Sequence, residues 1–156
     1  MPILFRTISL LLLIACTLTS CGGGNTEGDD QIYEGMDSAT KMKMVQYMRA
    51  GKKLYIQHCA NCHQPEGTGL GTLYPPLATA DYLMRDPKAA ACIVKNGQNG
   101  EIYVNGIQYN QAMPAHKELS NLEIAEIITY ISNSWGNKSG LHSAGEIEKT
   151  LQKCQP

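Results

Sequence analysis

Five consecutive residues, Cys59-Ala60-Asn61-Cys62-His63, constrain this chain more than any other stretch. They form C-x-x-C-H, the attachment motif for a c-type haem. The two thiols are spaced to add across the porphyrin vinyl groups as thioethers. The histidine follows the second thiol immediately, so its imidazole can reach the iron from one side of the ring. A redox C-x-x-C or half of a zinc site requires no such histidine, and the chain has no second C-x-x-C to complete a zinc set. The expected cofactor is one covalently attached haem c, held by Cys59 and Cys62, with His63 as an iron ligand.

The N-terminus reads as an export signal. Arg6 supplies a positive n-region, Ile8 to Ala15 a short apolar core, and Leu18-Thr19-Ser20-Cys21 a lipobox. The apolar stretch is too short to span a bilayer comfortably. Residues 1–20 are therefore expected to be a lipoprotein signal peptide, with Cys21 carrying the lipid; the plainer alternative is ordinary cleavage nearby with Cys21 incidental. Residues 21–39 follow as an acidic tether opened by Gly22-Gly23-Gly24 and including Asp29-Asp30, a composition that makes a flexible linker. The lipobox resembles that of bacterial lipoproteins, and the location this implies is the bacterial cell envelope, lipid-anchored to a membrane, on the periplasmic side or the outer surface. The whole chain carries 13 basic against 14 acidic side chains. Losing Arg6 with the leader makes the balance slightly more negative, which leaves no basic field for nucleic acid.

Six cysteines are present. Cys16 leaves with the leader, Cys21 takes lipid, and Cys59 and Cys62 take haem. Cys92 and Cys154 remain. An oxidising compartment allows them to pair, but sequence does not show whether their α-carbons approach closely enough; a disulfide and two separate thiols both stand.

The remainder, residues 40–156, reads as one domain with a core at 46–136 and a C-terminal extension at 137–156. Thr40 to His58 has helical spacing, with Met44, Val45, Met48, Gly51, Leu54 and Tyr55 as its apolar stripe. Gly51 costs about 1 kcal/mol against alanine inside a helix, so a close helix crossing is expected there. Ser120-Asn121-Leu122-Glu123 is a capping box. It opens a second helix with Leu122, Ala125, Ile128 and Ile131 on its apolar face, widened by Ile124, Ile127 and Trp135, and Gly136 as its stop. Asp86-Pro87 reads as the start of a shorter helix closed by Gly97. Asn105-Gly106 marks a two-residue hairpin between Glu101–Val104 and Ile107–Asn110. Ser143 to Glu146 repeats the capping-box spacing. The fold class is all-α, with a small β-hairpin and long loops suited to wrapping a large ligand.

A six-coordinate iron needs a ligand opposite His63. Met113, in Gln111-Ala112-Met113-Pro114-Ala115, is the candidate, because a thioether is soft and neutral and Met/His ligation raises the reduction potential. Pro114 biases Met113 towards an extended backbone. The alternatives are Met84, His116, His142 and the helix methionines. The other ring nitrogen of His63 also needs a partner, and a carbonyl of Pro75 or Pro76 lies a suitable distance downstream. Trp135 is a core aromatic whose indole N–H would meet a carbonyl or a haem propionate.

Taken in order, these residues resemble a class I cytochrome c. Gly51 and Tyr55 stand before Cys59 as in that family's N-terminal helix, whose aromatic partner would be Tyr130. Gly67-Thr68-Gly69, Tyr74-Pro75-Pro76-Leu77, Met113-Pro114 and the Tyr130 to Trp135 stretch follow. The likeness covers Gln46 to Gly136. Val104-Asn105-Gly106 and Ser134-Trp135-Gly136-Asn137 are similar to small bacterial cytochrome domains sometimes fused to copper nitrite reductases or oxidase subunits. The resemblance implies the class I fold, with the hairpin before the methionine loop, and a single-electron carrier, not an enzyme, that meets a redox donor and acceptor transiently. The expected role is a membrane-tethered shuttle between respiratory partners. A dedicated subunit of a reductase or dehydrogenase is the second reading, and a haem-based gas sensor or peroxidase the third. The tether and the Cys92/Cys154 pair are not explained by the family pattern.

Overall fold

The computed structural model describes residues 33–154. The expected leader, Cys21 and most of the tether lie outside the described residues. Helix α1 (Ser38–His58) begins within the stretch assigned to the tether, because the Asp37 carboxylate accepts from the N–H groups of Ala39 and Thr40 and so caps it. Its buried face is Met44, Tyr47, Gly51 and Tyr55, at helical spacings of three and four. Val45 was expected on this face but is 47% exposed. One residue on from Met44 turns the chain about 100° around the axis, and Tyr47 takes the inward position instead.

Helix α5 (Asn121–Ile131) crosses α1. Both halves of its capping box form: the Ser120 hydroxyl accepts from the Glu123 N–H, and the Glu123 carboxylate accepts from the Ser120 N–H. Ile124, Ala125, Ile127, Ile128, Tyr130 and Ile131 are buried, while Leu122, in the first turn, faces outward. The crossing explains Gly51. A β-carbon there would lie 2.6 Å from the Glu126 carbonyl carbon and 2.8 Å from Tyr130 Cβ, so only a bare backbone lets the helices approach this closely. Tyr55 and Tyr130 meet one turn away, ring centroids 5.5 Å apart.

The helix stops earlier than Gly136. The Ser132 hydroxyl donates to the Ile128 carbonyl and the Asn133 amide to the Thr129 carbonyl, occupying the acceptors of the last turn. Trp135 then takes a positive φ of 55° and folds back off the helix. It packs against both Tyr55 and Tyr130, with centroids 5.1 and 5.3 Å away, and closes a three-ring cluster.

The shorter elements form the other wall. They are α2 (Ala60–His63), α3 (Asp81–Arg85), α4 (Ala89–Asn96) and the antiparallel hairpin of β1 (Ile102–Val104) and β2 (Ile107–Tyr109). Asp86 caps a turn at Pro87-Lys88 by accepting from the Lys88 and Ala89 N–H groups, so regular α4 starts two residues after the proline. Asn105 and Gly106 both have positive φ, as a hairpin of this length requires. The C-terminal extension supplies α6 (Ala144–Leu151), opened by a second full capping box on Ser143 and Glu146. Ile147 of α6 is fully buried against α4 and α5. A Cys92–Cys154 disulfide, Cα–Cα 5.7 Å, fastens its end to α4. Among the described residues, no helix is long and apolar enough to cross a membrane.

Candidate cofactor site

α1 runs directly into the single turn of α2, with Cys59 between them. The Cys59 N–H donates to the Tyr55 carbonyl and the His63 N–H to the Cys59 carbonyl. Cys59, Cys62 and His63 stand at i, i+3 and i+4 of this helical path, so all three project to one side. They line a cleft of about 990 Å³, counting the part open to solvent. The walls are chiefly apolar: Leu77 and Leu83, Val94 of α4, Ile102 and Val104 of the hairpin, and Ile127 and Ile131 of α5.

His63 is 9% exposed. Its Nδ1 lies 2.9 Å from the Pro75 carbonyl oxygen. A carbonyl only accepts, so Nδ1 carries the proton and Nε2 keeps its lone pair. Burial holds the imidazole pKa below its ordinary value, which keeps the ring neutral. Of the two prolines proposed as acceptor, Pro75 supplies the carbonyl, and Pro76 lines the cleft beside it. The Pro75 segment is held in turn: the Gly67 carbonyl accepts from the Leu77 and Ala78 N–H groups, and the Gly69 N–H donates to the His63 carbonyl.

Neither Cys59 nor Cys62 is in a disulfide. Burial pushes the Cys59 thiol up to about 12. Redox C-x-x-C sites depend on the opposite, a lowered thiol pKa, so Cys59 sits in the reverse of an activated redox thiol's surroundings.

Met113 lines the same cleft, from the loop that follows the hairpin. A two-way backbone bridge holds it: its N–H donates to the Gln98 carbonyl and its carbonyl accepts from the Gln98 N–H. The loop beyond is tied to α4 by the His116 N–H donating to the Val94 carbonyl. Of the rival ligands, Met84, His116 and His142 are not among the lining residues. Nor is Trp135, which is spent against Tyr55, Tyr130 and the backbone at Gly67, where a β-carbon would lie 2.8 Å from the indole Cδ2. Leaving the helix at Ile131 places Trp135 in this aromatic cluster, as the core aromatic expected, and not in the lining of the cleft.

Two supporting residues escaped sequence reasoning. Asn137 donates to the carbonyls of Leu77 and Ile131 and accepts from the Thr79 N–H, joining the Pro75 loop to the end of α5. Gln98 pairs with Met113 across 15 residues. Asn137 closes the Ser134-Trp135-Gly136-Asn137 stretch of the family likeness, but that likeness does not name its partners, and Gln98 before the fold is known is an ordinary loop residue.

The residues fit a haem. The paired thiols, the singly tied imidazole and the neutral sulfur share an apolar slot, and these donors match the c-type attachment and ligand chemistry. Comparison with known proteins agrees. The family model described as cytochrome c matches residues 48–135. The chain is 35% identical over 112 residues to cytochrome c-552 of Thermus thermophilus, covering 66% of this chain and 85% of that protein. It is 36% identical over 104 residues to the cytochrome c subunit of the quinone alcohol dehydrogenase of Gluconobacter oxydans, covering 64% of this chain but only 21% of that subunit. It is 29% identical over 115 residues to the gluconate 2-dehydrogenase cytochrome c subunit of Pantoea cypripedii, covering 70% of this chain and 24% of that subunit.

Proposed function

The chain belongs to the class I c-type cytochromes, and we propose that within this family it is a membrane-tethered monohaem shuttle, passing single electrons between redox proteins of a bacterial cell envelope. As a cytochrome c it binds haem c covalently and carries electrons; it does not itself catalyse a reaction. When bound, the haem supplies the one-electron iron couple.

The chain's own residues divide the remaining work. Cys59 and Cys62 would attach the group through their sulfurs, and His63 and Met113 would supply the iron with a nitrogen and a sulfur ligand. The Pro75 carbonyl fixes the His63 tautomer and ring plane, so Nε2 stays aimed and unprotonated. The apolar walls exclude water, which disfavours the extra charge of the ferric state and raises the potential. Ligands held this rigidly require little rearrangement when an electron arrives or leaves. Docking on each partner is small and brief, as for other redox encounters. Cys21 would carry the lipid, and the acidic tether would let the domain reach both partners.

The observation that carries this reading is the convergence of Cys59, Cys62, His63 and Met113 on one apolar cleft. It is tested by spectroscopy. The ferric protein should show the methionine–iron absorption band as isolated and lose it in Met113→Ala, while Cys59→Ala/Cys62→Ala should yield no covalent haem. A resting five-coordinate spectrum would instead favour a gas sensor or peroxidase. A dedicated dehydrogenase subunit is the second reading, favoured by relatives named as cytochrome c subunits; stable copurification with one enzyme would establish it over the shuttle.

A further inference from the structure

His58, His116 and Glu118 form a cluster that the haem site does not use. One donor atom from each lies within 4.8 Å of those of the other two. His58 ends α1, and His116 and Glu118 lie on the loop beyond Met113. The two imidazoles meet edge to face with centroids 5.6 Å apart, and His116 Nδ1 lies 3.2 Å from Glu118 Oε1. We propose that His58, His116 and Glu118 form a surface site for a divalent transition ion of the zinc class, with water as the fourth ligand.

Two imidazole nitrogens and one carboxylate oxygen are a recurrent zinc donor set in which a water completes the tetrahedron. At metal–ligand distances of 2.0–2.2 Å, tetrahedral donors stand about 3.4 Å apart. His116 and Glu118 already stand at that spacing, 3.2 Å apart, and all three donors lie within 4.8 Å of one another, so side-chain adjustments of about an ångström close the set around an ion. The loop is anchored at both ends of the pair. The His116 N–H donates to the Val94 carbonyl, and Lys95 Nζ donates to the carbonyls of Lys117 and Leu119. Glu123, the other carboxylate near His58, is committed to the Ser120 cap.

An ion here would join the residue just before Cys59 to the loop three residues after Met113. It would thus clamp together the two segments that bring Cys59 and Met113 to the cleft. The inference is independent of which residue provides the sixth ligand, because zinc uptake is read separately from the haem spectrum.

The test is calorimetric titration of untagged holoprotein with zinc chloride in a non-chelating buffer. The expected result is one ion per chain and a thermal midpoint that rises with zinc. His58→Ala and His116→Ala should each weaken binding by at least about tenfold, since even residues that only support a ligand cost 10–100-fold; the double variant should abolish it. An unchanged haem spectrum certifies each fold. If a histidine variant loses it, Glu118→Gln, at an exposed position, decides by the same weakening. Absence of saturable uptake, or one-ion uptake that survives these substitutions, would overturn the proposal.

Discussion

Gln98 and Met113 exchange both backbone hydrogen bonds, at 3.0 and 2.9 Å, as an isolated antiparallel pair. The bridge fixes the backbone that aims the methionine into the cleft. Gly97, immediately before Gln98, makes the approach possible. Its φ of 80° and ψ of 176° fall in a region that is almost exclusively glycine's, and a β-carbon there would lie 2.7 Å from the Met113 carbonyl oxygen. Gly97→Ala is therefore expected to cost about 1–3 kcal/mol in backbone strain alone and to displace the Met113 loop. Denaturant unfolding of the holoprotein measures the first effect; a weakened methionine–iron band reports the second. A variant with the stability and band of the parent would mean that the bridge does not set the loop.

The α1–α5 crossing makes a second prediction, in which two effects oppose. Alanine is the better helix former by about 1 kcal/mol. Yet at Gly51 its β-carbon would meet the Glu126 backbone and Tyr130 Cβ, and overpacking costs about 1–3 kcal/mol. Packing should prevail, because the opposing atoms are backbone and a β-carbon, which no rotamer change removes. Gly51→Ala should lower the thermal midpoint of the holoprotein, and a rise would show that the helices separate at little cost.

The contrast between these glycines marks what was legible in the sequence. Gly51 stood inside a helical pattern, so its cost demanded a crossing. The capping boxes at Ser120 and Ser143 and the Asn105-Gly106 turn are set by chemistry within four residues, and all three formed. The Cys59, Cys62 and His63 triplet is local too. What was not legible depends on distant partners. Gln98 finds Met113 only after α4 and the hairpin pack. Asn137 reaches Leu77 across 60 residues. Trp135 looked helical by period, but Ser132 and Asn133 compete for the carbonyls of the last turn and end α5 first. Val45 and Leu122 are apolar at positions adjacent to buried ones, and period alone does not tell the rim of a stripe from its centre.

His142 makes the acid side of the stability curve testable. It is 4% exposed, its Nε2 meets Ser139 Oγ at 3.0 Å, and its Nδ1 is buried with no hydrogen-bond partner. Burial holds its pKa below the ordinary value. Protonation would add a donor on Nδ1 that nothing accepts. The folded state thus binds this proton less readily than the unfolded chain, so the stabilising contribution is complete above the unfolded pKa of about 6.5 and is lost as the pH falls from there through the folded value. Thermal midpoints should drop on acidification across that window. His142→Gln, which can keep the Ser139 contact, should flatten the dependence; an unchanged slope would assign it to other groups.

The Cys92–Cys154 bond links residues 62 apart. Cross-linking a loop of that length removes unfolded-chain entropy worth about 4 kcal/mol in the ideal case, and 2–4 is typical of measured bridges. Neither cysteine lines the haem cleft. The bond's task is to hold the end of α6 on α4, so that Ile147 stays buried in the core. Cys92→Ser/Cys154→Ser should therefore lose about 2–4 kcal/mol in denaturant unfolding while keeping the haem spectrum and its methionine band. Intact mass of the parent should rise by two hydrogens on reduction, and that of the variant should not change. A parent mass indifferent to reductant would show the thiols unjoined, and loss of the methionine band in the variant would show that the C-terminal extension reaches the site through α4 and does more than stabilise the fold.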